Sequence, residues 1–182
     1  RGIVESLYYP PGIRWHIRRI YVLNPIEFTT IRRNEVKSKI LGGTAMRIAQ
    51  GKEDEPYLVT TKQIVQRASM VLTNVHYIIE AEFEMLPEKA APGDNPGKFQ
   101  DIVTRRMRKG QCFSTPYFGC REFPAHFKQW EGGPIPTIDE TRDLGFMLYD
   151  FDYSDPQNIT PLYFRAKMEH GVIQVAGCEV FR

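Results

Sequence analysis

No stretch of this 182-residue chain approaches the roughly 18 consecutive apolar residues that a membrane-crossing helix needs, so a soluble protein is expected. Cysteine is scarce, with only Cys112, Cys120 and Cys178. Their odd number, the lack of CxxC spacing and the absence of a His at zinc-site distance argue against a disulfide framework or a structural zinc. Buried reduced thiols in a reducing, cytoplasmic setting are the expectation. Also missing are the patterns G-x-x-x-x-G-K-S/T, G-x-G-x-x-G, H-E-x-x-H and G-x-S-x-G. Their absence removes the commonest nucleotide-binding, metalloprotease and hydrolase readings. There is little net charge, because 24 Lys and Arg against 22 Asp and Glu leave +2. Any affinity for nucleic acid must therefore come from where the charges sit. The opening residues, Arg1 to Tyr8, hold neither an initiator Met nor an apolar signal run. They read as the middle of a helix, so the sequence is expected to start partway into its protein.

What is present is enough for a core. Apolar residues make up 42% of the chain and aromatics 12%, and a chain of this size buries roughly 70% of its unfolded surface, so it needs no staples. The first helix must stop near Tyr8 or Tyr9, because Pro10, Pro11 and Gly12 cannot continue it. Ile13 to Phe28 are rich in β-branched and aromatic residues and predict a strand interrupted or bent at Pro25. Gly42 to Pro56 read as a surface loop. Val75, Tyr77, Ile79, Ala81, Phe83 and Met85 alternate with polar residues, which predicts a half-buried strand.

Asn95 followed by Pro96 predicts a helix start, with Phe99, Ile102, Val103 and Met107 on one apolar face and Gly110 at the end. Short strands are expected at Phe113 to Phe123, Leu144 to Tyr153, Pro161 to Glu169 and Val172 to Val175, with a hairpin at His170-Gly171. The order of elements predicts an α+β chain with its helices early and an antiparallel sheet late.

The charges are unevenly placed. Between Arg14 and Lys39 seven basic residues face Glu27 and Glu35, a net of +5, and between Lys98 and Lys109 five face Asp101, a net of +4. Arg dominates both segments, and its planar fork suits phosphate oxygens and base edges. Two readings stand: solvated surfaces laced with salt bridges, or a nucleic-acid surface.

Lys98 narrows the choice. It falls in the first turn of its helix, where the positive end of the dipole disfavours a cation by about 0.3 to 1 kcal/mol. A Lys there requires an anion, either a phosphate held with the helix-terminal N–H groups and Gly97, or else solvent reached by snorkelling. Asp150, Asp152 and Asp155 have the spacing of a magnesium site on one strand face, set against a simple wet face opposite Tyr149, Phe151 and Tyr153. His16, His76, His126 and His170 lack ligand spacing and read as structural.

These residues carry a resemblance. The strings Gly2-Ile3-Val4-Glu5-Ser6-Leu7-Tyr8, Ile31-Arg32-Arg33-Asn34-Glu35-Val36 and Val75 to Glu84 resemble the Cas-five-d proteins of subtype I-C CRISPR systems. So do Asn95-Pro96-Gly97-Lys98, the run from Arg105 to Gln111, Gly119-Cys120-Arg121-Glu122-Phe123-Pro124-Ala125 and Met168 to Val172, all in order along the chain. The resemblance implies a ferredoxin-like, RNA-recognition-type domain over residues 1–110, its opening strand lying upstream of Arg1, and a smaller antiparallel β-sheet domain over 111–182.

It also implies a metal-independent endoribonuclease, with no cofactor, that cuts precursor CRISPR RNA at the base of the repeat hairpin. The product would stay bound by its 5′ handle in the Cascade complex. The implied partners are the repeat hairpin, the mature guide RNA, Cas-seven-type backbone and Cas-eight-type large subunits, with non-specific duplex DNA as a further one and no membrane. By the same resemblance Tyr8 is the base or proton shuttle and Lys98 the phosphate stabiliser or acid. Arg32, Arg33, Lys37, Arg105, Arg106 and Arg121 are the RNA contacts. Some members of the family have a His directly after the motif Lys, where this chain has Phe99. The alternative is therefore a non-catalytic subunit that caps the guide's handle.

Overall fold

The structure, a computed structural model, describes residues 1–38, 41–52, 57 and 59–182. It forms two compact units, one of Arg1–Pro25 with His76–Arg182 and one of Ile26–Val75. In the first unit a short helix α1 (Gly2–Leu7) leads to β1 (Ile13–Val22), which pairs antiparallel with β4 (Tyr77–Met85). Helix α4 (Pro96–Arg108) follows, then β5 (Arg142–Asp152), β6 (Thr160–Glu169), β7 (Val172–Gln174) and β8 (Val180–Phe181). The sheet order is β4-β1-β7-β6-β5, with β8 alongside β6 and every pairing antiparallel. The α+β class expected from the sequence is thus observed.

The expected boundary at residue 110 is not where the chain divides. Residues Arg19 to Tyr21 of β1 pair with β7, so strands from both expected domains share one sheet. The pairing turns on Gly171, which with His170 forms the expected hairpin at φ of +74° and +47°. A side chain at Gly171 would meet the Ile138 carbonyl at 2.5 Å. The Gly171 carbonyl accepts from Val22 N–H at 2.8 Å, and Val22 carbonyl accepts from Ile138 N–H at 3.0 Å, tying the hairpin, β1 and the 137–141 segment together.

The core beneath β1 and β4 is built from Ile13, Trp15, Phe99 and Val103, with Val4, Tyr8, Ala81, Phe83, Met85 and Met107 packed around it. The apolar face predicted for α4 therefore lies inward. Phe83 stands edge-on to Trp15, ring centroids 5.5 Å apart. On β6 the alternate residues Phe164, Ala166 and Met168 are buried, as a period of two requires.

The second unit is a hairpin of β2 (Glu27–Val36) and β3 (Ile64–Thr73) in continuous antiparallel register, with α2 (Gly42–Ala49) and α3 (Thr60–Gln63). The interruption expected at Pro25 within Ile13 to Phe28 is observed, β1 ending at Val22 and β2 starting at Glu27. The loop expected from Gly42 to Pro56 is corrected, because Gly42–Ala49 is helical. Its two glycines fall in the first turn rather than the interior, which lowers their cost to the helix. Glu53 to Pro56 lie outside the described residues. Strand β3 escapes sequence reading because Ile64, Met70 and Leu72 are exposed, so burial imposes no clear alternation on it.

Three more expectations need correction. Phe113 to Phe123 form no strand but a loop with a single bridge between Tyr117 and Pro124. Pro116 removes a donor, and the N–H groups of Phe113 and Ser114 go instead to the Ser6 carbonyl at 2.8 and 3.1 Å. The cysteines are free, but Cys120 is exposed and Cys112 and Cys178 are only half-buried. On β5 the expected wet and apolar faces are exchanged: Tyr149 and Phe151 are exposed, whereas Asp150 and Asp152 are half-buried by ion pairs with Arg1 and Arg182. Asp155 accepts instead from Gln157 N–H at 3.0 Å. Among the described residues, no three of His, Cys, Asp or Glu converge to share an ion. No helix among them is long and apolar enough to cross a membrane.

Candidate active site

The end of α1 and the start of α4 meet at Tyr8. Leu7, the last helical residue, is buried, and Tyr8 leaves the helix in extended backbone with φ of −160° and ψ of 118°. Its carbonyl accepts from Trp15 Nε1 at 2.8 Å, which anchors the turn to β1. Its ring lies 6.1 Å from that of Phe99, and the Arg106 guanidinium sits over it at 5.0 Å. Arg106 also donates to the Leu7 carbonyl at 3.1 Å, satisfying an acceptor left open at the end of α1. One Arg from the fourth turn of α4 thus fixes both the helix end and the aromatic ring beyond it.

Lys98 is set by the cap of α4. Asn95 Oδ1 accepts from Lys98 N–H at 2.9 Å, with Pro96 at the first helical position. The Lys98 ammonium lies 2.8 Å from Asp94 Oδ1, and Asp94 is tied in turn to Ala91 N–H at 2.8 Å. Asp94 is thus the anion that the position of Lys98 demands, and it offsets the unfavourable end of the dipole. The hydrogen bond from Lys98 and that from Ala91 hold the Asp94 carboxyl below its ordinary value. Reciprocally, Asp94 raises Lys98, and Tyr8 adds to the effect, so Tyr8 and Lys98 lie within electrostatic reach of each other. An ammonium pushed upward stays charged at neutral pH, which suits stabilising an anionic phosphate better than giving up a proton.

The predicted site residues divide between the units. Tyr8, Lys98 and Arg106 come together in the first. Arg105 is exposed on α4, and Arg121 is exposed in the loop that follows. Arg32, Arg33 and Lys37 lie on or just after β2 in the second unit. There Arg32 and Lys37 are exposed, and Arg33 is paired with Glu35 at 3.2 Å. Phe99 is 2% exposed and belongs to the core. Of the histidines, His16 pairs with Glu84 at 3.1 Å and His170 with Asp139 at 2.5 Å. Sequence reasoning missed Asp94, although its place four residues before Lys98 is the spacing of a helical ion pair. No periodicity announces the bond from Trp15 to Tyr8 across the Pro10–Gly12 turn, and nothing local announces the place of Arg106, whose contacts join residues distant in sequence.

A family model described as CRISPR-associated protein (Cas_Cas5) matches residues 1–176. A CRISPR pre-crRNA endoribonuclease Cas5d of Mannheimia succiniciproducens is 40% identical over 182 residues, covering 96% of this chain and 80% of the relative. A protein of the same name from Thermus thermophilus is 30% identical over 192 residues, covering 96% and 76%. Two solved structures share the fold at 21% identity, each match covering 100% of this chain and 81% of the other. They are a functionally uncharacterized protein of Streptococcus mutans, with a TM-score of 0.64, and a CRISPR-associated protein, with a TM-score of 0.63. With its motifs in order and the match running almost from end to end, the chain belongs to the Cas5d family of CRISPR-associated proteins.

Proposed function

We propose that this chain cuts precursor CRISPR RNA at the base of its repeat hairpin, without a metal, and keeps the 5′ handle of the product within a subtype I-C Cascade. The observation that carries the reading is the nearness of Tyr8 to the start of α4, its ring 6.1 Å from that of Phe99, the residue directly after Lys98. The relatives' name, pre-crRNA endoribonuclease, supplies the substrate class. In the reaction the 2′ oxygen attacks the adjacent phosphorus, losing its proton to Tyr8 acting as base or shuttle. The bond from phosphorus to the 5′ oxygen breaks, leaving a 2′,3′-cyclic phosphate and, once that oxygen takes a proton from Tyr8 acting as shuttle or from water, a 5′-OH. Lys98 leaves Asp94 for the phosphate and stabilises the charge that builds on its oxygens, an effect typically worth about 10²- to 10³-fold in rate for one such group.

Arg32, Arg33, Lys37, Arg105, Arg106 and Arg121 serve as RNA contacts in this reading. Cas-seven-type and Cas-eight-type subunits are the assembly partners, and the compartment is the cytoplasm. The finer fold assignment, a ferredoxin-like domain, rests on the order α1-β1-β4-α4 with β1 and β4 antiparallel. The direct test is cleavage of the cognate hairpin in excess EDTA. Retained cutting with a 5′-OH product supports the reading, and loss of cutting in EDTA overturns its chemistry.

One observation favours a second reading, a non-catalytic subunit that caps the handle. Phe99 is buried where some relatives place a His, so that position supplies no proton. Uncut repeat RNA recovered from a tight complex would support it.

A further inference from the structure

We infer that Arg106 acts in cleavage by positioning Tyr8, a task that sets it apart from the other arginines named as RNA contacts; the inference rests on the RNA-cutting reading above. The basic run that ends α4 does not point one way. Arg105, Arg108 and Lys109 are exposed, whereas Arg106 is half-buried. Phe99, Val103 and Arg106 recur at i, i+4 and i+7, so Arg106 falls on the same stripe as the two core residues of this helix. The spacing carries a cation onto the face that packs against α1.

Neither of the usual reasons for a cation here accounts for it. A positive charge in the last turn of a helix is favourable, but Arg105 and Arg108 supply that charge from solvent. An inward cation ordinarily meets a carboxylate, and Arg106 ion-pairs with none among the described residues. It meets instead the Leu7 carbonyl, at 3.1 Å, and the face of the Tyr8 ring, at 5.0 Å. An apolar side chain of similar length would fill the same space without drawing a charge out of water.

Tyr8 is thereby held at three points. Its carbonyl accepts from Trp15 Nε1 at 2.8 Å, its ring tilts against Phe99 at 6.1 Å, and Arg106 covers the ring face while tying down the residue before it. These contacts leave the hydroxyl free to meet RNA. Proton transfer needs its group within hydrogen-bond reach, and a misplacement of about 1 Å costs on the order of 10²-fold in rate. The guanidinium adds an effect of charge. Negative charge that gathers on the phenol oxygen as the proton moves is stabilised by a cation lying over the ring.

The test is a double-mutant cycle on the full chain, read as single-turnover cleavage of the cognate repeat hairpin at saturating protein and, separately, as RNA affinity. Arg106→Gln keeps a donor for the Leu7 carbonyl and removes the charge over the ring. It is expected to slow cleavage by about 10- to 10²-fold with affinity retained. Arg106→Lys, which keeps a cation, should recover most of that loss. In a Tyr8→Phe background, Arg106→Gln should add nothing to the loss already caused. If Arg106→Gln does not fold, Arg106→Met gives the same comparison. Weaker binding with an unchanged rate at saturation would make Arg106 an RNA contact and overturn the inference. So would a loss of the same size in both backgrounds, since Arg106 would then act independently of Tyr8. Cutting that depends on Tyr8 but not on Arg106 would sink the inference and spare the endonuclease. A wild-type chain that cuts nothing would overturn the reading and the inference with it.

Discussion

The ammonium of Lys98 and the carboxylate of Asp94 sit 2.8 Å apart across the start of α4, each shifting the other toward its charged form. The chain therefore holds its candidate phosphate-binding cation in a pair that a phosphate must displace. The Lys98 side chain is about half exposed whereas that of Asp94 is largely covered, so it is the ammonium that can turn toward a phosphate without rearrangement of the fold.

That pair has a definite pH window. Asp94 is depressed below 3.8, so its contribution is full at neutral pH and is lost as pH falls through the lowered value. Lys98 is raised above 10.5, so its contribution is lost only as pH rises past that. Asp94→Asn should flatten the acid limb of thermal stability while leaving cleavage at or above the wild-type rate, because the freed ammonium is available to phosphate. Identical acid limbs in melting scans of variant and wild type would show that the pair contributes nothing.

Tyr8→Phe removes one oxygen while keeping the ring between Phe99 and Arg106. Melting temperature and RNA affinity should hold, and the single-turnover cleavage rate should fall by about 10²-fold or more. Lys98→Ala should lose about 10²- to 10³-fold in the same assay with binding largely retained. A rate unchanged in both variants would remove them from the site.

The burial of Phe99 decides whether a His at this position could act on RNA. Phe99→Ala should cost about 3 to 5 kcal/mol, read by denaturant unfolding, because it empties the centre of the core. Phe99→His should cost about 1 to 3 kcal/mol for burying a ring nitrogen without a partner, and should not speed cleavage. Faster cleavage in that variant would mean that this side chain reaches the RNA after all.

Gly171→Ala tests the joint between β1 and β7. Its φ of +74° and the 2.5 Å approach to the Ile138 carbonyl act together. The backbone conformation alone is worth about 1 to 2 kcal/mol, and the clash adds to it. The chain should melt several degrees lower, with hydrogen-exchange protection lost first at Val22 and Ile138. A neutral outcome would mean that the 137–141 segment moves aside freely.

Legibility followed the range of the interactions. The strand at Val75 to Met85, helix α4 with its Asn95 cap and the His170-Gly171 hairpin could be read in the sequence, because period, cap and turn chemistry act within a few residues. Helix α2 and strand β3 could not, since neither contains a buried residue to impose its period. The Phe113 to Phe123 segment has the composition of a strand, yet the N–H groups of Phe113 and Ser114 are taken by Ser6, more than 100 residues earlier, and Phe118 and Phe123 bond within the loop.

For the site, the sequence by itself determined which groups are available: Tyr8 at a proline-terminated helix end, Lys98 inside a capped first turn, and Arg-rich segments hidden in a net charge of +2. Tertiary structure alone decided what those groups do. It set Arg106 over Tyr8, sank Phe99 into the core and left Tyr9, Phe113 and Tyr117 in solvent. The physical reason is that residue identity fixes charge and shape, whereas the partner that neutralises a charge or covers a ring comes from elsewhere in the chain.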